Sequence, residues 1–324
     1  MNGLLVLLAH LLTTLAGLFG PVGFNRGTRP CAALRNVARR SKRCCPWRAE
    51  GGGPRHCVKP FCQLVVYGLS FLALTGCQHA SRSVSPVVVR VMTYNIHHGR
   101  GLDGRVDLER IAHVIREHNV DLVALQEVDK GTRRTDGMDI AARIAALTAM
   151  EFVFEKNIDF QGGEYGNAIL SRHPVLASSN QHFKMLHPGE QRGMLSATVD
   201  FHGHTVTLVS THLDFRPDPA ERISNISEIE RFVWRRRDHP VVMAGDFNDT
   251  PGGTVHLQMR ASFTDAWEAA GVGDGFTYVS DDPSKRIDYI YLFPKSSWHV
   301  NSAQVGLGEG SDHLPLVVEA LLLD

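Results

Sequence analysis

The chain has 324 residues, enough for one or two domains, and its 34 basic and 34 acidic side chains balance only when the whole length is averaged. Residues 1–85 hold eleven basic residues against one acid, Glu50, which leaves 23 basic and 33 acidic residues in 86–324 and formal charges of +10 and −10. All six cysteines lie within the first 77 residues, so residues 78–324 have no internal disulfide, and a domain of charge −10 is poorly suited to non-specific binding of duplex DNA.

The N-terminal part reads as targeting sequence. Residues 64–75, LVVYGLSFLALT, form a short apolar run behind Arg55, His56 and Lys59, the layout of a secretory signal too short to span a bilayer. Leu74-Thr75-Gly76-Cys77 resembles the lipobox of bacterial lipoproteins, with Cys77 as the lipidated mature N-terminus; an ordinary signal peptide with an incidental cysteine is the alternative. A second apolar stretch, Leu4 to Phe19, lies far upstream. Either it is an extra membrane segment, or residues 1–57 are untranslated and translation starts at Val58, and the second is favoured because the intervening sequence has no core-forming period. The division is therefore 1–57 untranslated or additional, 58–77 signal peptide, 78–86 tether and 87–324 catalytic domain. The expected location is exported, anchored to a membrane through Cys77.

From Val87 onward strand-like and helical runs alternate. Strands are expected at Val87–Tyr94, Leu122–Gln126, Ala168–Ser171, Leu195–Phe201, Val206–Thr211, Val241–Ala244, Ile287–Leu292 and Leu314–Leu322. Leu108, Ile111, Ala112 and Ile115 have helical spacing behind a capping Asp107, and Ile223, Ile226, Ile229 and Val233 draw a second stripe. Arg235–Arg237 come directly after that stripe, where cations favour a helix C-terminus.

Polar residues recur at the ends of these strands. The segments are Thr93-Tyr94-Asn95, Leu125-Gln126-Glu127-Val128-Asp129, Tyr165 to Arg172, Ser210-Thr211-His212-Leu213-Asp214, Gly245-Asp246-Phe247-Asn248-Asp249, Arg286-Ile287-Asp288-Tyr289 and Ser311-Asp312-His313-Leu314-Pro315. In order and wording they resemble the signature segments of the endonuclease/exonuclease/phosphatase (DNase I-like) superfamily over nearly all of 90–320. The resemblance implies an α/β fold of four layers, two packed mostly antiparallel or mixed β-sheets flanked by α-helices, and a metal-dependent hydrolase of phosphoester bonds.

Such a reaction is slow enough uncatalysed that on the order of 20 kcal/mol must come off its barrier. General acid–base help is worth only about 10²–10⁴-fold, so a cation and preorganised donors must carry most of the rest. A buried, unpaired Glu127 would be costly unless it held a hard cation, for which Mg²⁺ is the candidate and Mn²⁺ the alternative. The resemblance makes Glu127 the principal metal ligand, with Asn95 and Asp312 completing or bordering the shell. Asp246 and Asn248, two apart in an extended segment, would face the same way and hold one water. By resemblance Asp246 orients that water or accepts its proton, and Asn248 fixes it in line with the scissile bond. His212 and His313 would donate to the phosphate, with Asp288 holding His313 protonated. Asn167 matches a family asparagine near the phosphate, Arg192 a phosphate-contacting cation, and Tyr165 packs against substrate or core. Arg133, Arg134 and Arg216 bind substrate or are solvated loop charges.

The sequence departs from the abasic-site nucleases at one point: His97 stands two residues after Asn95, where those enzymes carry an acid. This weakens a DNA-repair reading and leaves His97 and His98 able to touch substrate or metal. The expected substrate is a small-molecule or lipid phosphodiester or phosphomonoester. An extracellular or periplasmic nuclease and a non-catalytic lipoprotein binding an anionic partner are the rivals, and a monomer is expected.

Overall fold

Twelve strands and five α-helices succeed one another through residues 87–323, the part of the chain that the computed structural model describes. The signal peptide, Cys77 and the tether lie outside the described residues. Among the described residues no helix is long and apolar enough to cross a membrane.

The strands form two six-stranded sheets. The first has the order β11-β12-β1-β2-β4-β3, built from β1 (Val87–Asn95), β2 (Leu122–Lys130), β3 (Glu151–Phe160), β4 (Gly163–Ser171), β11 (Trp298–Val305) and β12 (Leu316–Leu322). The second has the order β5-β6-β7-β8-β10-β9, built from β5 (Val175–His182), β6 (Gly193–Phe201), β7 (His204–His212), β8 (Val241–Asp246), β9 (Thr264–Asp265) and β10 (Asp288–Phe293). Each sheet has one parallel pair at its centre, β1–β2 and β7–β8, and antiparallel pairs elsewhere. A parallel pair needs a long crossover. The helix α1 (Leu108–Glu117) supplies the first and α3 (Ala220–Trp234) the second.

Alternation along the central strands sets the layers. Val89 and Val91 of β1 face the other sheet, where Leu195, Leu208, Val242 and Ile290 meet them, while Met92 points the opposite way. There Ile111 and Ile115 of α1 and Ile140 and Ile144 of α2 (Ile140–Thr148) cover the first sheet. Ile226 and Ile229 of α3, with Val255 and Met259 of α4 (Thr254–Ser262), cover Met243 and Tyr291 of the second. The four-layer architecture is therefore the one expected. Asp107 caps α1, its carboxylate accepting from the amides of Glu109 (3.0 Å) and Arg110 (3.4 Å). The α3 stripe is buried at Ile226, Ile229 and Val233, and beyond its end Arg236 donates to the Phe232 carbonyl at 3.3 Å, as the C-terminal reading requires.

Four strands lie outside the expected set, β3, β5, β9 and β11, and all four are sheet edges. Residues of β3 and β5 are mostly exposed or half-buried, so neither face carries the apolar alternation that marks an inner strand. The helices α2, α4 and α5 (Ala266–Ala270) were likewise not anticipated; each is nine residues or fewer, too short for a stripe to stand out.

Candidate active site

The two parallel pairs end side by side. Asn95, the last residue of β1, is fully buried, and its side-chain amide donates both to Glu127 Oε1 (3.0 Å) and to Asp246 Oδ2 (3.2 Å). One amide thus ties the first sheet to the second. Deeper in, Gln126 Nε2 donates to Ser210 Oγ (3.0 Å) and that hydroxyl to the Leu125 carbonyl (3.1 Å), a polar bridge that fixes how the sheets meet.

Glu127 does not end its strand, as expected from the sequence. It sits within β2 at a bulge, where the register to β4 shifts between Leu125 and Val128, and its φ of 57° lies in the left-handed region. A bulge re-aims a side chain; here it turns the carboxylate into the cleft instead of along the sheet face.

On the second sheet the register does the positioning. His212 of β7 lies opposite Asp246 of β8, and Asp246 lies opposite Asp288 of β10. Two carboxylates facing each other across strands repel, and His313, entering from the loop before β12, lies between them. Its Nδ1 is 2.9 Å from Asp288 Oδ2 and its Nε2 3.8 Å from Asp246 Oδ2. Thr277 Oγ1 donates to the same Asp288 oxygen at 2.6 Å, and the Tyr278 ring lies 4.8 Å from the His313 ring. Ser311 Oγ donates to the Asn95 carbonyl (2.7 Å) and secures the loop.

The electrostatics separate the two histidines. Burial alone would lower His313, but the Asp288 carboxylate, with Asp246 and Asp312 beyond it, overcomes this and lifts it to about 10. His212 is pushed well below its ordinary value by burial and then by Arg192 and His313, so it is neutral at pH 7. Burial and then the charge of Asp288 raise Asp246 to about 7, against the opposing pull of His313 and the donors Asn248 and Asn95.

The cleft above these groups has a volume of about 620 Å³. Its walls bring together Glu127, Tyr165, Arg192, His212, Asp246, Asn248, Asp312 and His313 of the expected set, with Asn95 and Asp288 directly beneath. Asn167 stands apart: it is buried in β4, its amide 3.4 Å from the Gly193 carbonyl, and it does not line the cleft. Asn248 lines it for a reason other than extended spacing. The chain turns there with φ at 48°, the Asn248 amide donating to Asp246 Oδ1 (2.9 Å) and its side chain to the Leu213 carbonyl (3.1 Å).

Arg192 is 6% exposed, paired with Glu190 at 2.7 Å, and its Nε has no partner. Arg134 is occupied by Asp129, to which it donates twice (2.7 and 2.8 Å), and Arg216 by Asp214 (2.9 Å). Glu190, Phe215, Thr250, Tyr278 and Lys285 also line the cleft and were not singled out from the sequence; they stand on loops, and all but Tyr278 lie within two residues of a residue or segment that was.

Five carboxylates face the cleft, Glu127, Glu190, Asp246, Asp249 and Asp312, against the permanent cations Arg192 and Lys285. An anionic substrate would be repelled from such a wall. A divalent cation near Glu127 and Asp312 would offset most of that excess where it sits, and these oxygen donors suit a hard ion. A further cluster, His256, Asp265 and Glu268, is already neutralised: Arg286 lies 3.2 Å from Asp265 and Arg260 3.2 Å from Glu268.

A family profile described as the endonuclease/exonuclease/phosphatase family matches residues 92–313. The chain is 27% identical over 244 residues to the uncharacterised protein YbhP of Escherichia coli strain K12, covering 71% of this chain and 95% of that one. Among solved structures it is similar to an endonuclease/exonuclease/phosphatase from Beutenbergia cavernae, with 26% identity, a TM-score of 0.60, and 73% and 72% of the two chains covered. A mannosyl-6-phosphatase from Bacteroides thetaiotaomicron shares the fold at a TM-score of 0.59 and 16% identity, over 72% of this chain and 99% of that one. With the profile spanning well over half of the chain, and the sheets and cleft built as described, the protein belongs to the endonuclease/exonuclease/phosphatase family, a superfamily of phosphoesterases and nucleases.

Proposed function

We propose that the protein hydrolyses a phosphoester of a small molecule or lipid with the help of a divalent cation held by Glu127 and Asp312, with Asn95 orienting Glu127. The observation that carries this reading is the single hydrogen-bonded array in which Asn95 touches both Glu127 and Asp246 while His212 and His313 face Asp246. On its oxygen donors alone the site suits Mg²⁺ first and Mn²⁺ second. When bound, the cation offsets the negative charge of the phosphate and stabilises the charge that develops on it.

The chain's own residues then divide the work. Asp246, raised to about 7, is suited to accept a proton near neutral pH, and its Oδ2 is the oxygen that the histidines face. Asn248, held to Asp246 and to the Leu213 carbonyl, has a fixed place beside the attacking water. The imidazolium of His313 and the N–H of neutral His212 donate to non-bridging oxygens, where charge grows as the water attacks. Asp288 keeps His313 charged and oriented, and Arg192 binds the phosphate in place of part of its contact with Glu190.

The charge of −10 over 86–324 supports a small phosphorylated substrate over duplex DNA. The lipobox-like Leu74–Cys77 supports an exported protein anchored beside phospholipid headgroups, which intact-mass measurement of the native protein tests. The activity test is a panel of p-nitrophenyl phosphomonoesters and phosphodiesters, sphingomyelin and other phospholipids, and plasmid and single-stranded DNA, each with Mg²⁺ and with EDTA. Metal-dependent turnover of a small or lipid phosphoester is expected. Preference for DNA would replace the substrate reading with a nuclease, and no turnover anywhere would overturn the enzyme reading.

A further inference from the structure

We infer that His97 and His98 extend the Glu127 site with imidazole nitrogens, so that the cleft prefers a transition-metal dication, Co²⁺ or Zn²⁺ most strongly and Mn²⁺ as well, to Mg²⁺. This rests on the metal site of the proposed function and names the ion it takes.

Two placements support it. His97, His98 and Glu127 each offer a ligand atom, and all three atoms lie within 4.8 Å of one another. Ligands bound at about 2.0–2.2 Å around one ion sit roughly 3–4 Å apart, so small side-chain movements complete the set. His97 also reaches the other carboxylate of the site, its Nδ1 3.6 Å from Asp312 Oδ1. The imidazole therefore stands between the two acids that face the cation.

His98 carries the independent observation. It is only 5% exposed, yet its Nδ1 has no hydrogen-bond partner. A buried polar atom without a partner is uncommon and costly, and ligation in this cluster would turn the ring from an unsatisfied group into a used one.

The backbone presents both rings in a fixed way. His97–Gly99 form a 3-10 turn closed by the Gly99 amide on the Ile96 carbonyl (2.7 Å) and the Arg100 amide on that of His97 (2.9 Å). The His97 amide donates to Asn95 Oδ1 at 3.1 Å, so the turn is tied to the residue that orients Glu127. The two rings meet edge to face at 4.5 Å. Imidazole nitrogens raise affinity for transition-metal dications, least for Mn²⁺ and more for Co²⁺ and Zn²⁺, whereas a shell of carboxylates, carbonyls and water alone suits Mg²⁺ and Mn²⁺ alike.

The test is metal binding by the full chain after chelator treatment, read without substrate. Calorimetric titration with Mn²⁺ and with Mg²⁺ is expected to give at least tenfold tighter binding of Mn²⁺, and pulsed electron paramagnetic resonance of the Mn²⁺ complex is expected to show ¹⁴N coupling from imidazole. His97→Gln and His98→Gln should each weaken Mn²⁺ binding by about 10–100-fold and remove part of the ¹⁴N signal, with much less effect on Mg²⁺. The wild-type ¹⁴N signal decides the case even if the buried His98 variant fails to fold. Binding of Mn²⁺ with no ¹⁴N coupling, or with an affinity indifferent to both substitutions, overturns this inference and leaves the proposed function standing. If the wild type binds no dication, the metal-dependent reading itself falls.

Discussion

The two sheets are built alike and used differently. Each carries one central parallel pair with a helical crossover, and each delivers polar residues from the ends of that pair to the same cleft. The β1–β2 side offers Asn95 and a carboxylate, Glu127, aimed by a bulge. The β7–β8 side offers His212 and Asp246 in strict register with Asp288, and there the charges interlock through His313. A bulge presents a lone oxygen donor to the cleft, which suits holding an ion, while a register row stacks titratable groups against one another and shifts their protonation. The division of labour between gripping the cation and moving protons arises from these two backbone devices.

The largest effects should come from breaking one side while sparing the other. Asp246→Ala is expected to lower kcat by at least the 10²–10⁴-fold typical of a lost proton acceptor, with the dication still bound. Glu127→Gln should do the reverse, weakening dication binding in calorimetry before any effect on His313 is seen. If the two variants give the same metal-binding curve, the assignment of roles to the two sheets is wrong.

A smaller effect sharpens the protonation side. In EDTA-treated protein, His313 is expected to remain protonated through pH 8 and to titrate at about 10 in histidine NMR. The sign comes from a folded value raised above the ordinary 6.5: the pair's contribution to stability is fully present below that value and is lost as pH rises through about 10. Asp288→Asn should bring the titration back down and slow turnover by roughly tenfold or more. A His313 titration unmoved by that substitution would remove Asp288 from its positioning role.

The join between the sheets should be worth less. Ser210→Ala removes the hydroxyl that links Gln126 to the Leu125 carbonyl and is expected to cost about 1–3 kcal/mol in denaturant unfolding, because it leaves buried polar atoms unpaired. The smallest effect expected is that of Asp107→Ala, about 1 kcal/mol for the cap of α1, with activity unchanged. That variant checks that stability loss on the β1–β2 side does not by itself mimic loss of metal.

Much of the site was legible in the sequence because its residues sit where polar side chains are out of place. Asn95, His212 and Asp246 end buried strands, and a polar residue closing an apolar run is a signal that survives without coordinates. The inner strands were readable for the same reason, since both their faces are covered. Edge strands such as β3 and β5 were not, because residues on both of their faces are mostly exposed or half-buried and neither face has to be apolar.

What the amino-acid order determined by itself was the set of central strands, the cap of α1, the stripes of α1 and α3, and the kinds of side chain available for phosphoester chemistry. These are local properties, set by the period of the chain and the cost of burying polar groups. Only the tertiary structure decided which of those groups meet. It took Asn167 out of the cleft wall and aimed Glu127 through a bulge. It also set His313 between two opposed carboxylates and gathered His97 and His98 beside Glu127. Each of these outcomes depends on register and on the docking of two separate sheets, which no local pattern encodes because the partners lie tens to hundreds of residues apart along the chain.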